Sequence, residues 1–140
     1  MADGFPSDRV RNAYDAVAER YAATFGNELD ELPLDRALVD RLGALAGDGM
    51  VLEAGAGVAP VARHPRDRAV VACDLSSEML AFAPPAAGRV QADIRRLPFR
   101  TGSFTAAVAR YVLQHVPRED APLALAELRR VLADGGHVLV

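Results

Sequence analysis

The chain has 140 residues, of which 51% are hydrophobic and 25% are charged, a balance typical of one globular domain. Its formal net charge of −3 disfavours non-specific binding to nucleic acid or to an anionic membrane. No run is apolar enough to span a bilayer, no secretory signal is recognisable, and a single cysteine excludes an internal disulfide. We therefore expect one cytoplasmic domain over residues 1–140, with neither nucleic acid nor membrane as a partner.

The N-terminal segment predicts an amphipathic helix over residues 7–24, with Ser7 as its N-terminal cap. The apolar stripe of this helix consists of Val10, Tyr14, Val17 and Tyr21. Tyr14 and Tyr21 therefore share one face. They are interpreted either as core residues with their hydroxyls at the rim, or as part of a cover over a ligand.

A polar connection over residues 26–33 precedes a second predicted helix, which begins at Leu34 or Asp35 and extends to about Ala46. Glycines at 47 and 49 end it. Leucines at helical spacing form its predicted buried face: Leu34, Leu38, Leu42 and Leu45.

The stretch from Met50 to Pro60 predicts a strand, a glycine turn and the start of a helix. A short apolar run is typical of a buried parallel strand, and Glu53 ends this one. Gly55 and Gly57 allow the backbone to pass close to a nucleotide-like ligand. A dinucleotide fingerprint needs a third glycine at position 60, so Pro60 disfavours a nicotinamide or flavin dinucleotide.

The rest of the chain alternates predicted strands and helices. Strands are expected at 70–74, 89–92, 104–110 and 137–140, with a turn over 134–136 before the last. The helix after Pro60 is expected to be short because Pro65 follows, and further helices are expected over 76–83 and 118–132. The helix over 76–83 is expected to bury Met79 and Leu80. The helix over 118–132 is expected to bury a face made of Leu125, Leu128, Val131 and Leu132. Such alternation predicts a parallel sheet.

The segments from Tyr14 to Val140 resemble, in order and spacing, the type 11 methyltransferase domain of the class I S-adenosylmethionine-dependent methyltransferases. The acid-x-G-x-G-x-G pattern of that family matches Glu53, Gly55 and Gly57, with Ala59 in the last place. The segments that continue the match are 71–80, 90–99, 102–108, 111–117 and 125–136. The resemblance implies an α/β, doubly wound (Rossmann-like) sheet of five strands in the order 3-2-1-4-5, with helices on both faces.

The resemblance also implies S-adenosylmethionine as the cofactor, with residues 1–47 as a helical lid over it. Asp74 is placed to accept hydrogen bonds from the ribose hydroxyls and Asp93 from the adenine amino group, since each follows a strand at the carboxyl edge of the sheet. Glu53 is expected either to fix the turn through backbone amides or to favour the cationic end of the cofactor. The cofactor-binding set so implied is Tyr21, Glu53, Gly55, Ala56, Gly57, Asp74, Leu75, Met79, Asp93, Ile94 and Arg110.

His115 is the candidate catalytic residue. Methyl transfer gains most from alignment of the acceptor with the methyl group, so no catalytic side chain is obligatory. Where an acceptor must lose a proton, His115 is the best candidate because it follows the fourth strand and histidine is the residue type that most often serves as a general base. The alternative is a capping or packing role. Cys73 is interpreted as a buried structural thiol, and no metal site is predicted because no cluster has ligand spacing.

The sequence thus predicts S-adenosylmethionine-dependent methyl transfer to an unidentified small-molecule acceptor. The alternative is a non-catalytic domain that binds S-adenosylmethionine or only a protein partner, because Ala59 replaces a family glycine and the chain stops within the fifth strand. The family domain carries two further strands, so the chain resembles one truncated after strand five. An uncovered fifth strand would present unpaired backbone groups, which predicts homo-oligomerisation through this edge.

Overall fold

The computed structural model describes residues 6–64 and 68–140, which are built around a five-stranded parallel sheet. The strands are β1 (Val51–Ala54), β2 (Val70–Asp74), β3 (Gly88–Gln91), β4 (Phe104–Val108) and β5 (Leu132–Leu139). They are hydrogen-bonded in the order β3-β2-β1-β4-β5, which confirms the predicted topology. The central strand β1 is buried along its whole length, so its carboxyl end lies in the interior of the molecule.

The helices of the described ranges are α1 (Pro6–Asp15), α2 (Ala18–Phe25), α3 (Glu28–Glu31), α4 (Pro33–Ala46), α5 (Pro60–Arg63), α6 (Ser77–Leu80) and α7 (Ala121–Val131). Two short 3₁₀ turns, Leu113–His115 and Arg118–Asp120, lie between β4 and α7. None of the described helices is long and apolar enough to cross a membrane.

Two hydrophobic clusters cover the two faces of the sheet. Leu52 and Ala107 belong to a cluster with Leu128 of α7, whereas their neighbours in sequence, Val51 and Ala106, belong to a cluster with α4. Successive residues of a strand point to opposite faces, so this division places α7 and α4 on opposite sides of the sheet. The doubly wound arrangement follows directly from that alternation.

The predicted continuous helix over residues 7–24 is wrong, because the chain forms α1 and α2 with a break at Ala16 and Val17. Val17 has φ −119° and ψ 5°, and its N–H donates to the carbonyl of Tyr14 in a tight turn. Ser7 is not an N-cap either, because it lies inside α1, which begins at Pro6. The break lets the end of α1 contact loops that follow two different strands.

The predicted environment of the second helix also needs correction. The connection at 26–33 contains α3, whose Leu29 is buried, and α4 begins at Pro33. The buried face of α4 consists of Val39, Leu42, Gly43 and Ala46, while the other predicted positions are exposed: Leu34 (70%), Leu38 (44%) and Leu45 (42%). Small residues let the helix approach the sheet closely, so the face with Gly43 and Ala46 packs inward in place of the leucine stripe.

The C-terminal elements differ from the prediction at their boundaries. β4 ends at Val108 and α7 begins at Ala121 after a 3₁₀ turn; Leu125 is exposed and Ala124 is buried instead. β5 starts earlier than predicted and includes residues 134–136, where a turn was expected. The pairing register between β4 and β5 shifts at these residues, and Gly135 has φ 74°. The bounds of β2 match the prediction, and β3 lies at 88–91, within one residue of it.

Candidate functional site

A cleft lies over the carboxyl ends of β1, β2 and β4, where the loops after these strands meet α1 and α2. The space between its walls, with the open mouth included, is about 1070 Å³. All eleven residues of the predicted cofactor set line it: Tyr21, Glu53, Gly55, Ala56, Gly57, Asp74, Leu75, Met79, Asp93, Ile94 and Arg110. His115 lies in the same wall.

Asp74 organises the loop at the centre of the cleft. One carboxylate oxygen accepts a hydrogen bond from the backbone N–H of Gly57 and the other from that of Ser76, both at 2.8 Å. Burial raises the pKa of Asp74 and Asp15 adds to the effect, while these backbone hydrogen bonds oppose it. The carboxylate is therefore held in one orientation beside the glycine turn.

The glycine turn tolerates no side chain at its first position. Gly55 has φ 63° and Gly57 has φ 56°, both in the left-handed region that favours glycine. A Cβ on Gly55 would lie 2.3 Å from Cγ2 of Val112, so the turn and the loop after β4 are in direct contact. A Cβ on Gly57 would lie 3.2 Å from Cε of Met79.

Glu53 holds the start of α5 from below the turn. Its side chain is buried, with 3% exposure, and its two oxygens accept hydrogen bonds from the N–H groups of Val61 and Ala62 at 3.0 and 2.9 Å. These are amides of the first helical turn, which have no partner within the helix. Burial raises the pKa of Glu53 to about 7, although the two backbone bonds lower it. Of the two predicted roles, the structure shows the backbone-fixing one.

Ala59 stands where the family pattern has its third glycine and precedes α5. Its φ of 58° and ψ of 60° are left-handed, a conformation that costs an alanine roughly 1–2 kcal/mol. The residue is fully buried, so its methyl group contributes to the cluster that also contains Ala72 and Leu80.

The wall after β3 carries an ion-pair network that the sequence did not reveal. Asp93 accepts hydrogen bonds from Arg95, whose guanidinium also pairs with Asp120 ahead of α7. Burial raises the pKa of Asp93, but the hydrogen bonds from Arg95 outweigh it and the net shift is downward. Asp93 is thus an ionised acceptor at the edge of the cleft, next to the buried Ile94.

Arg110 follows β4 and is paired within the chain. Its Nε and Nη2 donate to Asp35 of α4 at 3.0 and 2.5 Å, and Nη1 lies 3.4 Å from Glu28 of α3. The guanidinium also stacks over the ring of Tyr111 at 5.1 Å from its centroid. This network ties α3 and α4 to the end of β4 and places a cation in the cleft wall.

The helices α1 and α2 lie along the mouth of the cleft. Tyr14 and Tyr21 contact each other edge to face, with ring centroids 6.0 Å apart, and pack against a small cluster of Ala18, Val58 and Met79. The hydroxyl of Ser76 donates to Asp15 at 2.5 Å. Of the expected lid region 1–47, residues 1–5 lie outside the described residues, α1 and α2 contribute residues to the lining of the cleft, and α4 packs against the sheet.

His115 and Tyr14 are in contact at the cleft mouth. Nε2 of His115 lies 2.9 Å from the hydroxyl oxygen of Tyr14, and the two rings meet edge to face with centroids 5.5 Å apart. Burial, followed by the charge of Asp74, raises the pKa of Tyr14, so its hydroxyl stays protonated near neutral pH. Tyr14 is absent from the predicted set, although the face it shares with Tyr21 was a signal for it.

Cys73 is buried in β2, and burial raises the pKa of its thiol to about 12, so it is the structural thiol that the sequence predicted. Among the residues that the structure describes, no group of three or more His, Cys, Asp or Glu side chains could hold a metal ion.

Comparisons with known proteins agree with this geometry. Residues 52–140 match a protein family whose description is 'Methyltransferase domain'. The chain is 36% identical to the demethylmenaquinone methyltransferase of Beutenbergia cavernae, over 99% of this chain and 59% of that protein. It is also 36% identical to the ubiquinone/menaquinone biosynthesis C-methyltransferase UbiE of Syntrophotalea carbinolica, over 96% of this chain and 61% of that protein.

Among solved structures, the DhpI–SAM–HEP complex superposes with a TM-score of 0.74 at 29% identity, over 99% of this chain and 65% of that one. The chain spans about three fifths of the length of each of these two methyltransferases from B. cavernae and S. carbinolica.

Proposed function

Because the chain belongs to the S-adenosylmethionine-dependent methyltransferase family, we propose that its cleft binds S-adenosylmethionine and that the protein transfers the methyl group to a small-molecule acceptor. The observation that carries the proposal is the placement of the Asp74 carboxylate beside Gly55 and Gly57, at the carboxyl ends of adjacent strands. A nucleoside ligand needs a hydrogen-bond acceptor for its ribose hydroxyls, which Asp74 provides. It also needs a turn without side chains that it can approach closely, which Gly55 and Gly57 provide.

Each part of the cofactor has a partner of matching chemistry in the cleft. Asp74 accepts from the ribose hydroxyls, and the apolar side chains of Leu75, Met79 and Ile94 enclose the base, while Asp93 accepts from its amino group. Arg110 attracts the carboxylate of the methionine part, in competition with Asp35 and Glu28. The ring of Tyr21 covers the ligand from α2.

S-adenosylmethionine supplies an activated methyl group, so the work of the protein is mainly alignment and exclusion of water. For an acceptor that must lose a proton, His115 is the proposed base; because its Nε2 is hydrogen-bonded to the Tyr14 hydroxyl, that hydroxyl takes the proton of the acceptor as its own proton moves to Nε2. Quinone precursors are the first acceptors to test, because curated relatives at 36% identity are named for menaquinone methylation. Other relatives are named malonyl-[acyl-carrier protein] O-methyltransferases, from Herminiimonas arsenicoxydans and Alcanivorax borkumensis, which makes a malonyl thioester the second.

Titration calorimetry of the chain with S-adenosylmethionine and S-adenosylhomocysteine tests the binding half of the proposal. Both ligands should bind at one site per chain, with raised melting temperatures as the independent readout. Turnover of a demethylated naphthoquinone or a malonyl thioester then tests the transfer half. Absence of binding by either ligand would contradict the proposal, and binding without turnover of any acceptor would favour the non-catalytic alternative.

A further inference from the structure

Arg95 joins two carboxylates that belong to different loops of the cleft. Its backbone N–H and Nε donate to one oxygen of Asp93 at 2.9 and 3.0 Å, and its Nη2 donates to the other at 2.6 Å. On its far side, Nη1 pairs with Asp120, which precedes α7. Arg95 thus connects the loop after β3 to the loop after β4, which also contributes His115 and Pro117 to the lining of the cleft.

We propose that Arg95 is a positioning residue that orients the Asp93 carboxylate toward the exocyclic amino group of a purine and so makes the cleft selective for adenine over a 6-oxo purine. The proposal rests on the proposed function, because the base concerned is that of S-adenosylmethionine.

The geometry of the pair supports an orienting role. A free aspartate rotates about two bonds, whereas the fork of an arginine fixes the plane of a carboxylate that it contacts through two nitrogens. A carboxylate has about four lone-pair sites, and the donors of Arg95 occupy those on one side of Asp93. The remaining acceptor capacity is directed away from the guanidinium, and Asp93 itself lines the cleft.

The charge of Asp93 explains why selectivity would follow. Burial raises the pKa of Asp93, and the hydrogen bonds from Arg95 outweigh this effect, so the carboxyl is ionised at neutral pH. An ionised carboxylate only accepts hydrogen bonds, so it attracts an amino group and repels the carbonyl oxygen of a 6-oxo purine. Without Arg95, the carboxylate would be free to rotate, and this rotation would weaken the discrimination.

The ratio of two dissociation constants tests the proposal. Titration calorimetry should show that the wild-type chain binds S-adenosylhomocysteine at least tenfold more tightly than its deaminated analogue, S-inosylhomocysteine. In Arg95→Met this ratio should fall to about threefold or less, through loss of affinity for the adenine compound. Arg95→Lys keeps the charge but not the fork, so its ratio should also fall.

Asp120→Asn is the matched control, because it weakens the link to α7 and leaves the Arg95–Asp93 contacts in place. It should keep the wild-type ratio within twofold. If both Arg95 variants lose affinity for the two ligands equally, or if the wild-type chain does not discriminate between them, Arg95 does not position Asp93 and the proposal is overturned. Failure of the wild-type chain to bind either ligand would contradict the proposed function itself, and this inference with it.

Discussion

The carboxylate of Asp74 and the backbone amide of Gly57 are joined by a 2.8 Å hydrogen bond that links the end of β2 to the turn after β1. The other carboxylate oxygen is bonded to the amide of Ser76. The acid proposed to hold the ribose therefore also holds the loop beside it. Ligand affinity and local stability should consequently change together when this side chain is altered.

We expect Asp74→Asn to weaken binding of S-adenosylmethionine at least tenfold, because the charged acceptor is lost. The melting temperature should fall as well, since a neutral amide cannot accept from both backbone N–H groups. Calorimetry and thermal unfolding measure the two effects. The control Asp30→Asn, on the exposed surface of α3, should leave both unchanged. Unaltered affinity in Asp74→Asn would rule out the ribose assignment.

Removal of residues 1–24 should reduce affinity for S-adenosylmethionine without unfolding the sheet. The contacts of Tyr14 and Tyr21 lie in a small cluster with Val58 and Met79, separate from the two clusters that cover the sheet. Calorimetry reports the affinity, and a cooperative melting curve reports the fold. Loss of cooperative unfolding in the truncated chain would instead show that α1 and α2 are part of the core.

The positions of the first strands and of the glycine turn were predictable because their signals are local, whereas the order of the strands came from the family resemblance. A short apolar run followed by an acid or a glycine identifies β1 and β2 without knowledge of their neighbours. Contacts between distant loops carry no such signal. Asp15 and Ser76 are 61 residues apart, and Arg110 and Asp35 are 75 apart, so only the tertiary fold pairs them.

The face of α4 shows a second limit of sequence patterns. Hydropathy ranks leucine above glycine and alanine, but close packing on a sheet favours small residues. Leu42 belongs to both the predicted and the observed faces, and the helix is rotated about it so that Gly43 and Ala46 meet the sheet. A pattern that counts apolar residues cannot distinguish these two rotations.

Substitutions at the two ends of the glycine turn should change stability to very different extents. Gly55→Ala should lower the free energy of unfolding by about 2 kcal/mol or more, because a left-handed alanine would also overlap Val112. Ala59→Gly should change the free energy of unfolding by less than about 1 kcal/mol. The substitution relieves the left-handed strain of the alanine, but it also removes a buried methyl group and makes the unfolded chain more flexible, so these effects offset one another. Urea unfolding measures both. A loss above about 2 kcal/mol in Ala59→Gly would show that this offset is wrong.

Glu53 should make the stability of the fold depend on pH. Its pKa rises from 4.5 to about 7 on burial, so folding favours the protonated carboxyl. This contribution is fully present below pH 4.5 and is lost as the pH rises to about 7, with an upper bound of about 3 kcal/mol. The wild-type chain should therefore lose stability relative to Glu53→Gln between these pH values. Parallel pH profiles of unfolding in urea for the two chains would contradict the shift.

The edge strand β5 should promote self-association. It lies at the end of the sheet order and pairs with β4, and the nearby side chains of Val138 and Val140 are 46% and 59% exposed. An apolar edge presents backbone groups that a second strand can bind, and a lysine on such an edge opposes that pairing. Light scattering should thus show concentration-dependent association that Val138→Lys reduces. Leu123→Lys, at an equally exposed site on α7, should leave association unchanged, and a wild-type chain that stays monomeric on concentration would show that this edge does not associate.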